Sequence, residues 1–493
     1  MAGVTGAAVS GAGAGPAGAA PAAGPEVRLI AAQDSITVRS YGGEVYLDPG
    51  IWVASLGSAL QLDIQRPDYA APLTVTQVVR LAHGGTAQIP WPASVVGTVP
   101  AALLHFVHLA VRNARGRVVA SDTLDFCPDG ADPERAVPDS PATSAYPQVC
   151  SADPFPKALV WGITRGWAVD PAEPADLQYQ LRPGHYTVTE SIMPAYARLL
   201  RIPAAHATAS VHMRVVQGSG CCGAALRGGA ALRGGARRAR SQPRSQPLAP
   251  LPRVPTMASP PASALPDLVP LPSWGISTSH EPKTRSHPLT NLLNFGATVW
   301  VGNAPLDVEG FRSGGSPIMP AYQYFWRDGK VIGRVRAGTM GFDSKKGHDH
   351  WHFEQFAAYR LLNAARKLVL RSHKVGFCIA PTDPVDLLQP GAVWQPSSLG
   401  FGGQCGVPTS LWVQEMLPPG WGDTYFQSVA GQSFDITSVP NGTYYIEVAA
   451  NPEGVLHEAN TRNDTSFREI ILGGTQSHRT VRVPALNGID PEG

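Results

Sequence analysis

The sequence predicts an all-β protein with two β-sandwich domains joined by a disordered linker rich in Arg, Gly and Pro. Short runs of β-branched and aromatic residues recur along most of the chain, and Gly, Pro and Asp separate them at regular spacing, as in sandwiches. One long stretch interrupts this pattern, because it contains no acidic residue and too few apolar residues to bury a core. The length of 493 residues leaves room for a separate core on each side of it.

These changes in composition divide the chain into five segments. In chain order they are a disordered Ala/Gly-rich tail at 1–25, an N-terminal β-sandwich-like domain at 26–216, the flexible linker at 217–264, a second β-rich domain at 265–474 and a C-terminal tail at 475–493. Typical strand patterns are "SITVRSYGGEVYL" and "HYTVTESI" in the first domain, and "FGATVWVG" and "TYYIEVAAN" in the second. The second domain carries all the candidate chemistry.

The overall charge and hydropathy exclude some partners. Charged residues make up 15% of the chain and the formal net charge is +2, so the composition gives no reason to expect a nucleic-acid partner. No apolar run reaches the roughly 20 residues that a membrane-spanning helix needs. The first 25 residues contain no Lys or Arg and so lack the cationic part of a secretory signal, although a truncated or misplaced start would hide one.

The six cysteines favour two disulfides. Cys127 with Cys150, and Cys378 with Cys405, form local pairs, whereas the remaining two are adjacent within the linker. These spacings fit loop crosslinks better than they fit a zinc ribbon. Disulfides indicate an oxidising compartment, so we expect a secreted or cell-envelope protein.

The stretch "GHDHWHFEQF" places His348, His350 and His352 at alternate positions. Side chains at i, i+2 and i+4 share one face only on a β-strand, and a bend or bulge would let all three imidazoles reach one ion. Three imidazole ligands with an open position are typical of a catalytic metal, and imidazole alone is compatible with zinc, copper, iron or nickel. The simpler alternative is a strand whose histidines are solvated.

Four motifs of the second domain resemble, in this order, the lysyl oxidase family in its actinobacterial form: "PDLV", "HDHWHFEQF", "RSHKVGFCIAPTD" and "GWGDTYFQSVAGQSFDIT". The resemblance covers about residues 265–474 and implies that the three histidines bind copper. It further implies that Lys374, in "SHKVGFC", and Tyr425, in "GDTY", are cross-linked into the cofactor lysine tyrosylquinone. The two residues are 51 positions apart (425 − 374), farther than in animal members, because the loop between them is longer.

The residue types suit that chemistry. Burial of Lys374 beside the apolar "VGF" would favour a neutral amine that can add to an oxidised tyrosine ring. Asp423 lies two residues before Tyr425 on the same strand face and is our first candidate for the catalytic base, with His373 as the second. Without the other motifs, Lys374 would be interpreted as a surface lysine and Tyr425 as a core aromatic.

The resemblance also implies a calcium site made of oxygen ligands. The matching positions are Asp267, the Leu268 carbonyl, Glu458, Asn460, Asn463 and Asp464, from "PDL" and "HEANTRND". Asn460 stands where the family has an acid and Asp464 where it has an amide, so the number of carboxylates is unchanged. The alternative is a hairpin loop that binds nothing.

From the resemblance we expect a copper amine oxidase of the protein-lysine 6-oxidase type. It would use O₂ to convert peptidyl lysine or another primary amine to an aldehyde, with release of ammonia and hydrogen peroxide. A different class stays open: a catalytically degenerate, metal-binding β-sandwich that serves as a cell-wall or adhesion module. A cupin-like metal enzyme is a third interpretation, and it would leave Lys374 and Tyr425 unexplained.

Overall fold

The structure, a computed structural model, confirms the all-β prediction. It describes residues 24–81, 84–130, 132–172, 175–218, 254–281, 289–344, 349–374, 376–396, 405–429 and 431–492. Strands make up 51% of it and helices 4%, so the cores form where sheets pack on one another.

The N-terminal part of the described chain, up to residue 218, contains fifteen strands and one short helix. The strands are β1 Val27–Ala31, β2 Ser35–Ser40, β3 Glu44–Tyr46, β4 Ile51–Ser55, β5 Leu60–Gln65, β6 Thr74–Arg80, β7 Thr86–Trp91, β8 Leu103–Asn113, β9 Val118–Phe126, β10 Glu134–Arg135, β11 Ala158–Ile163, β12 Trp167–Val169, β13 Gln178–Gln180, β14 Gly184–Ile192 and β15 Thr208–Gln217. The helix α1 is Pro194–Leu199, and single 3₁₀ turns span Ala93–Val95 and Ala204–His206. The strands form sheets in the orders β1-β4-β12-β10, β11-β5-β6-β7 and β2-β15-β14-β8-β9, with β13 and β3 as a separate ribbon.

The C-terminal part of the described chain contains sixteen strands. They are β16 Asp267–Pro270, β17 Trp274–Glu281, β18 Thr290–Gly302, β19 Leu306–Phe311, β20 Ile318–Arg327, β21 Lys330–Asp343, β22 His350–Phe353, β23 Ala357–Asn363, β24 Leu368–Arg371, β25 Asp383–Pro384, β26 Trp412–Leu417, β27 Trp421–Tyr425, β28 Ser433–Asp435, β29 Gly442–Ala450, β30 Thr465–Thr475 and β31 His478–Arg482, with a 3₁₀ turn at Ala262–Ala264. Their sheet orders are β16-β18-β27-β25, with β17 and β28 also paired to β18, then β22-β21-β20-β19-β26 and β24-β23-β29-β30-β31.

The alternation of inward and outward side chains explains why these sequences form packed sheets. Along β20, Met319, Ala321 and Phe325 are buried in the C-terminal part, whereas Ile318 on the opposite face is 48% exposed. Many aromatic residues of the C-terminal core lie near the site described below, among them Trp351, Phe353, Phe356, Phe377 and Phe434, all fully buried. The site is therefore built on closely packed strands.

Several residues that the sequence assigned to the linker or tails contact the domains. Met257 donates its amide to the Arg334 carbonyl at 2.9 Å, so the segment from residue 254 onward pairs with β21. At the other end, β31 pairs with β30, and Arg468 forms a buried ion pair with Glu492. The linker residues 219–253 and the tail residues 1–23 lie outside the described residues.

Both predicted disulfides are confirmed: Cys127 is bonded to Cys150 and Cys378 to Cys405. The first closes a loop in the N-terminal part, and the second joins two segments near the predicted site. Among the described residues, no helix is both long and apolar enough to cross a membrane.

Candidate active site

The histidine strand β22 places two of the three predicted histidines on one face. His350 and His352 point the same way, and their Nε2 atoms lie 2.9 Å apart. Trp351 points to the opposite face, where it is fully buried and donates its indole N–H to the Val407 carbonyl at 3.0 Å. His348 lies outside the described residues. The alternation predicted from the sequence therefore produces a convergent histidine pair.

The segment that follows Lys374 packs directly on this strand. Phe353 and Phe377 exchange two backbone hydrogen bonds of 2.8 and 3.0 Å. Gly376 lies so close to His352 that a Cβ atom there would stand 2.7 Å from the histidine Cβ and 3.1 Å from its Nδ1. On the other side, the Trp351 amide donates to the carbonyl of Cys405, the disulfide partner of Cys378. Backbone contacts and a disulfide thus hold the lysine segment against the histidines.

Lys374 and Tyr425 meet inside the domain although β24 ends at Arg371 and leaves the lysine in a loop. The Lys374 side chain is buried, with an exposed fraction of 7%, and its Nζ lies 4.1 Å from the centre of the Tyr425 ring. Phe377 packs edge-on against the same ring at 5.2 Å between centroids. The amine can therefore approach the face of the phenol ring.

The Tyr425 hydroxyl is fixed by the backbone of one residue. It accepts a hydrogen bond from the Cys378 amide at 2.8 Å and donates one to the Cys378 carbonyl at 3.1 Å. Burial, with the nearby Asp423 carboxyl as the next contribution, raises the pKa of the Tyr425 phenol well above its usual value. The ring is thus a protonated phenol at neutral pH, held in one orientation.

The path of the lysine loop depends on a second glycine. Gly431 has φ +88°, a conformation that glycine adopts without strain, and a Cβ there would stand 3.2 Å from the Lys374 Cβ. The Gly431 carbonyl accepts a hydrogen bond from the Ser372 hydroxyl at 2.7 Å, and the same hydroxyl accepts one from the Lys374 amide at 3.1 Å. These contacts keep the Lys374 backbone against the loop that follows Tyr425.

Asp423 and His373, the two candidates for the base, have different environments. Asp423 is 3% exposed on β27, and burial raises its pKa well above the usual range, although the Lys374 ammonium opposes that rise. Its Oδ2 atom is buried without a hydrogen-bond partner among the described residues. His373 is exposed on the outside of the loop. Asp423 is thus the candidate that lies buried beside Lys374 and Tyr425.

Glu415 is a buried acid that the sequence analysis missed. It is fully buried on β26 and accepts a hydrogen bond from the Ile379 amide at 3.0 Å. Burial raises its pKa well above the usual range, and the charge of Asp423 adds to the rise. The signal was present in "WVQEML", since Glu415 shares its strand face with Val413 and Leu417, an inward-facing position for a charged residue.

The predicted calcium ligands are brought together only in part. Asp267, on β16, accepts a hydrogen bond from the Asn463 amide nitrogen at 3.1 Å, and Glu458 accepts one from the Leu268 amide at 3.3 Å. Burial raises the pKa of Glu458 to about 7, and the charges of Asp464 and Asp267 contribute to it.

Two oxygens of this group are buried without a hydrogen-bond partner in the described part of the chain, namely Oδ1 of Asn463 and Oδ1 of Asp464. Asn460 is exposed, and its Oδ1 accepts a hydrogen bond from the Arg462 amide at 3.2 Å, as in a turn. Asp267, Glu458 and Asp464 thus lie near one another, whereas Asn460 stabilises the turn that contains it.

The donor atoms of these residues decide whether they fit a metal. In the described residues, no group of three or more His, Cys, Asp or Glu side chains is arranged to hold an ion. The paired Nε2 atoms of His350 and His352 are close enough for one ion to reach both at the usual metal–nitrogen distance of about 2 Å. Imidazole suits copper, so two of the three proposed ligands fit it.

Replacing Gly376 by alanine should weaken metal binding. The new methyl group would overlap His352, whose ring cannot move without turning its Nε2 away from His350. We expect copper affinity to fall by about tenfold or more, as when an outer partner of a ligand is lost. Isothermal titration of the metal-free protein with copper measures the affinity. The matched control is Gly315→Ala, because the added methyl group at that position would have open space around it. If Gly376→Ala and Gly315→Ala bind copper with equal affinity, the close contact between Gly376 and His352 does not affect metal binding.

The fold and site together define an all-β domain in which a histidine pair, a buried lysine and a partly buried tyrosine lie close together. A family model described as Lysyl oxidase matches residues 334–480, which include every candidate residue from His348 to Asp464. The match begins inside β21 and so leaves out Asp267 and the N-terminal part. This stretch is therefore similar to an oxidase family.

Curated relatives match part of the chain at modest identity. Protein-lysine 6-oxidase of Rattus norvegicus is 29% identical over 133 residues, which are 27% of this chain and 28% of the relative. Lysyl oxidase homolog 1 of Homo sapiens is 31% identical over 119 residues, 24% of this chain and 18% of the relative. Lysyl oxidase homolog 4 of Mus musculus is 28% identical over 137 residues, 28% of this chain and 16% of the relative. The chain thus spans less than a third of each of these three relatives.

Proposed function

We propose that residues 265–474 form a copper- and quinone-dependent amine oxidase domain of the lysyl oxidase type, in the form found in actinobacteria. The observation that carries the proposal is the position of the Lys374 Nζ, 4.1 Å from the centre of the Tyr425 ring, inside a buried site next to the histidine strand. A solvated surface lysine would not be placed there, because burying an amine costs free energy unless other groups in the site compensate it. The similarity to protein-lysine 6-oxidases supports the same class.

Copper would be held by His350 and His352, with His348 as the third ligand. Together with lysine tyrosylquinone made from Lys374 and Tyr425, it would supply the reaction of O₂ and the carbonyl group that a primary amine needs for oxidation. The chain's own residues prepare this chemistry. Phe377 and the Cys378 backbone orient the Tyr425 ring, and the loop through Gly431 keeps Lys374 at its face.

Asp423 is proposed as the catalytic base. It lies on the same strand face as Tyr425, and its carboxyl is close enough to Lys374 for the ammonium charge to affect its pKa. In the resting protein the carboxylate can accept the proton that Lys374 loses when its amine becomes neutral. During turnover the same group would remove a proton from the substrate carbon next to nitrogen, because a buried carboxyl with a raised pKa binds that proton more tightly than an exposed one.

The substrate would be a primary amine, either free or as a lysine side chain in a protein, with O₂ as the second substrate. The two disulfides support a secreted or cell-envelope location, because such bonds persist in oxidising compartments.

Amine-dependent peroxide release tests the proposal against the alternative of an inactive binding module. Copper-loaded full-length protein should consume O₂ and release equimolar hydrogen peroxide and ammonia with a small primary amine or a lysine peptide. β-Aminopropionitrile should block the reaction, and a secondary amine of equal size should not react. Copper-bound protein that consumes no O₂ with any primary amine would favour the binding module.

We also propose that Asp267, the Leu268 carbonyl, Glu458, Asn463 and Asp464 hold calcium, with Asn460 in the outer turn. Two observations support it: burial, with neighbouring acidic charges as a further contribution, raises the pKa of Glu458 and Asp464, and buried oxygens of Asn463 and Asp464 lack partners in the described residues. Bound calcium would link β16 to the loop before β30.

Calcium should stabilise the metal-free protein. At a calcium concentration 100 times the Kd, the free energy of unfolding should rise by about 2.7 kcal/mol, and thermal melting in calcium and in chelator measures the change. Glu458→Gln should remove the effect, whereas Glu453→Gln, at an exposed position of the same loop, should keep it. A wild-type protein that melts at the same temperature with and without calcium would count against the site.

A further inference from the structure

The N-terminal part of the chain reaches the strand that carries Tyr425 through one buried carboxylate, Asp383. This residue is 1% exposed and lies on β25, which pairs with β27. Its Oδ1 atom accepts hydrogen bonds from the Ser151 hydroxyl at 2.8 Å and from the Ala152 amide at 2.9 Å. Its Oδ2 atom accepts one from the Thr424 hydroxyl at 3.0 Å. One carboxylate thus joins the two parts of the chain.

Thr424 is held on three sides. Besides Asp383, its hydroxyl lies 2.7 Å from the Thr298 hydroxyl on β18, and its amide donates to the Thr382 hydroxyl at 2.8 Å. Its sequence neighbours Asp423 and Tyr425 point to the other face of β27, toward Lys374. Any displacement of Thr424 therefore moves both of them.

The N-terminal part also holds the backbone that follows Asp383. Beyond Ser151 and Ala152, the Lys157 and Ala158 amides both donate to the Val385 carbonyl, at 2.7 and 2.9 Å, and the Leu387 amide donates back to the Ala158 carbonyl at 2.8 Å. The N-terminal sheet strand β11 thus begins on the segment that follows Asp383. The N-terminal part therefore contacts both the Asp383 carboxylate and the backbone just after it.

A second buried carboxyl, that of Asp153, lies near Asp383 at this connection. Asp153, two residues after Ser151, is 2% exposed. Burial raises its pKa to about 7, and the neighbouring Asp383 carboxyl contributes. Burial also raises the pKa of Asp383 to about 6, although its hydrogen bonds from Ser151 and Thr424 oppose the rise. Burying two acids costs stability, and a joint that fixes a functional strand gives a reason for the cost.

We propose that the N-terminal domain is a positioning element of the active site, in which Ser151 and Ala152 hold Asp383 and Asp383 holds Thr424, so that Asp423 and Tyr425 face Lys374. Asp383 is a positioning residue, since it acts through Thr424 and does not touch the reacting groups. The proposal rests on the proposed role of Tyr425, and its direct readout is the local stability of β27, which needs neither copper nor quinone.

Amide hydrogen exchange of the metal-free, full-length protein tests it. Ser151→Ala should speed exchange of the Trp421–Tyr425 amides about fivefold, the effect of one lost hydrogen bond, and Asp383→Ala should speed it at least tenfold or so. Asp383→Asn should stay near wild type, because the amide oxygen can accept from Ser151 and Ala152 while its NH₂ donates to Thr424. Gln395→Ala is the control, since it removes a different hydrogen bond between the two parts, to the Tyr146 carbonyl, which involves neither Asp383 nor Thr424.

The second readout is the yield of Lys374–Tyr425 cross-link per bound copper, which should fall in the order wild type, Ser151→Ala, Asp383→Ala. Exchange in β27 that is unchanged by Ser151→Ala, or equally fast in Gln395→Ala, would overturn the proposal, and Ser151→Ala carries the test if Asp383→Ala does not fold. A wild-type protein that forms no cross-link while β27 shows the expected exchange pattern would refute the proposed function and leave the positioning role standing.

Discussion

Lys374→Arg and Tyr425→Phe should each remove the quinone absorbance and lower amine turnover by at least about 1,000-fold, as expected for groups that act as one unit. Arginine stays charged and cannot add to the ring, and phenylalanine lacks the oxygen at which oxidation begins. Copper should remain bound, because neither residue is one of the proposed ligands. Mass spectrometry of the wild-type protein should find one peptide that joins Lys374 to Tyr425 and should find none in either variant.

The matched controls are Lys367→Arg, at an exposed lysine of the neighbouring turn, and Tyr445→Phe, at a tyrosine of β29 whose hydroxyl contacts Glu469. Both should keep the cross-link and the turnover. Full amine oxidation by Lys374→Arg would show that the cofactor assignment is wrong even though the fold and the histidine pair are retained.

His352→Ala should lose copper and, with it, the cross-link. The ring is 6% exposed and lies between His350 and Gly376, so no solvent-exposed side chain can take its place. We expect copper affinity to fall by at least about 100-fold, more than the loss of an outer partner would cost. Metal analysis after dialysis and titration of the metal-free variant measure the change. His350→Ala and His348→Ala should behave in the same way.

His478→Ala, at an exposed histidine of β31, is the control and should bind copper like wild type. A His352→Ala protein that keeps stoichiometric copper and forms the cross-link would place the metal elsewhere in the molecule.

Local sequence patterns were sufficient to predict the strands and the features that depend on neighbouring residues. The alternation in "HDHWHF" predicted that His350 and His352 share a face. The prediction succeeded because side chains on a strand point to the same face at every second residue. Strand β27 follows the same rule, since Asp423 and Tyr425 lie on one face. The disulfides were predicted from spacing because each closes a short local loop.

Other features depend on residues that are far apart in the chain. Glu415 was missed although "WVQEML" places it on an inward-facing position, because its partner, the Ile379 amide, is 36 residues away in the chain. Gly376 was missed because its role is the space it leaves for His352, which no local pattern records. The boundaries of the linker and the C-terminal tail were predicted from composition alone. Composition does not show that Met257 and Glu492, which lie inside those segments, are bonded to strands distant in sequence.

By itself, the sequence determined the all-β class and the face shared by His350 and His352, since both follow from the side-chain period of strands, whereas Lys374 and Tyr425 were singled out only by the resemblance to lysyl oxidases. Only the tertiary structure decided that the Lys374 amine lies 4.1 Å from the Tyr425 ring and that Asp383 ties the N-terminal part to Thr424. The physical reason is that these contacts join segments more than 40 residues apart, and their distances are set by how sheets pack and by which polar groups must be satisfied on burial.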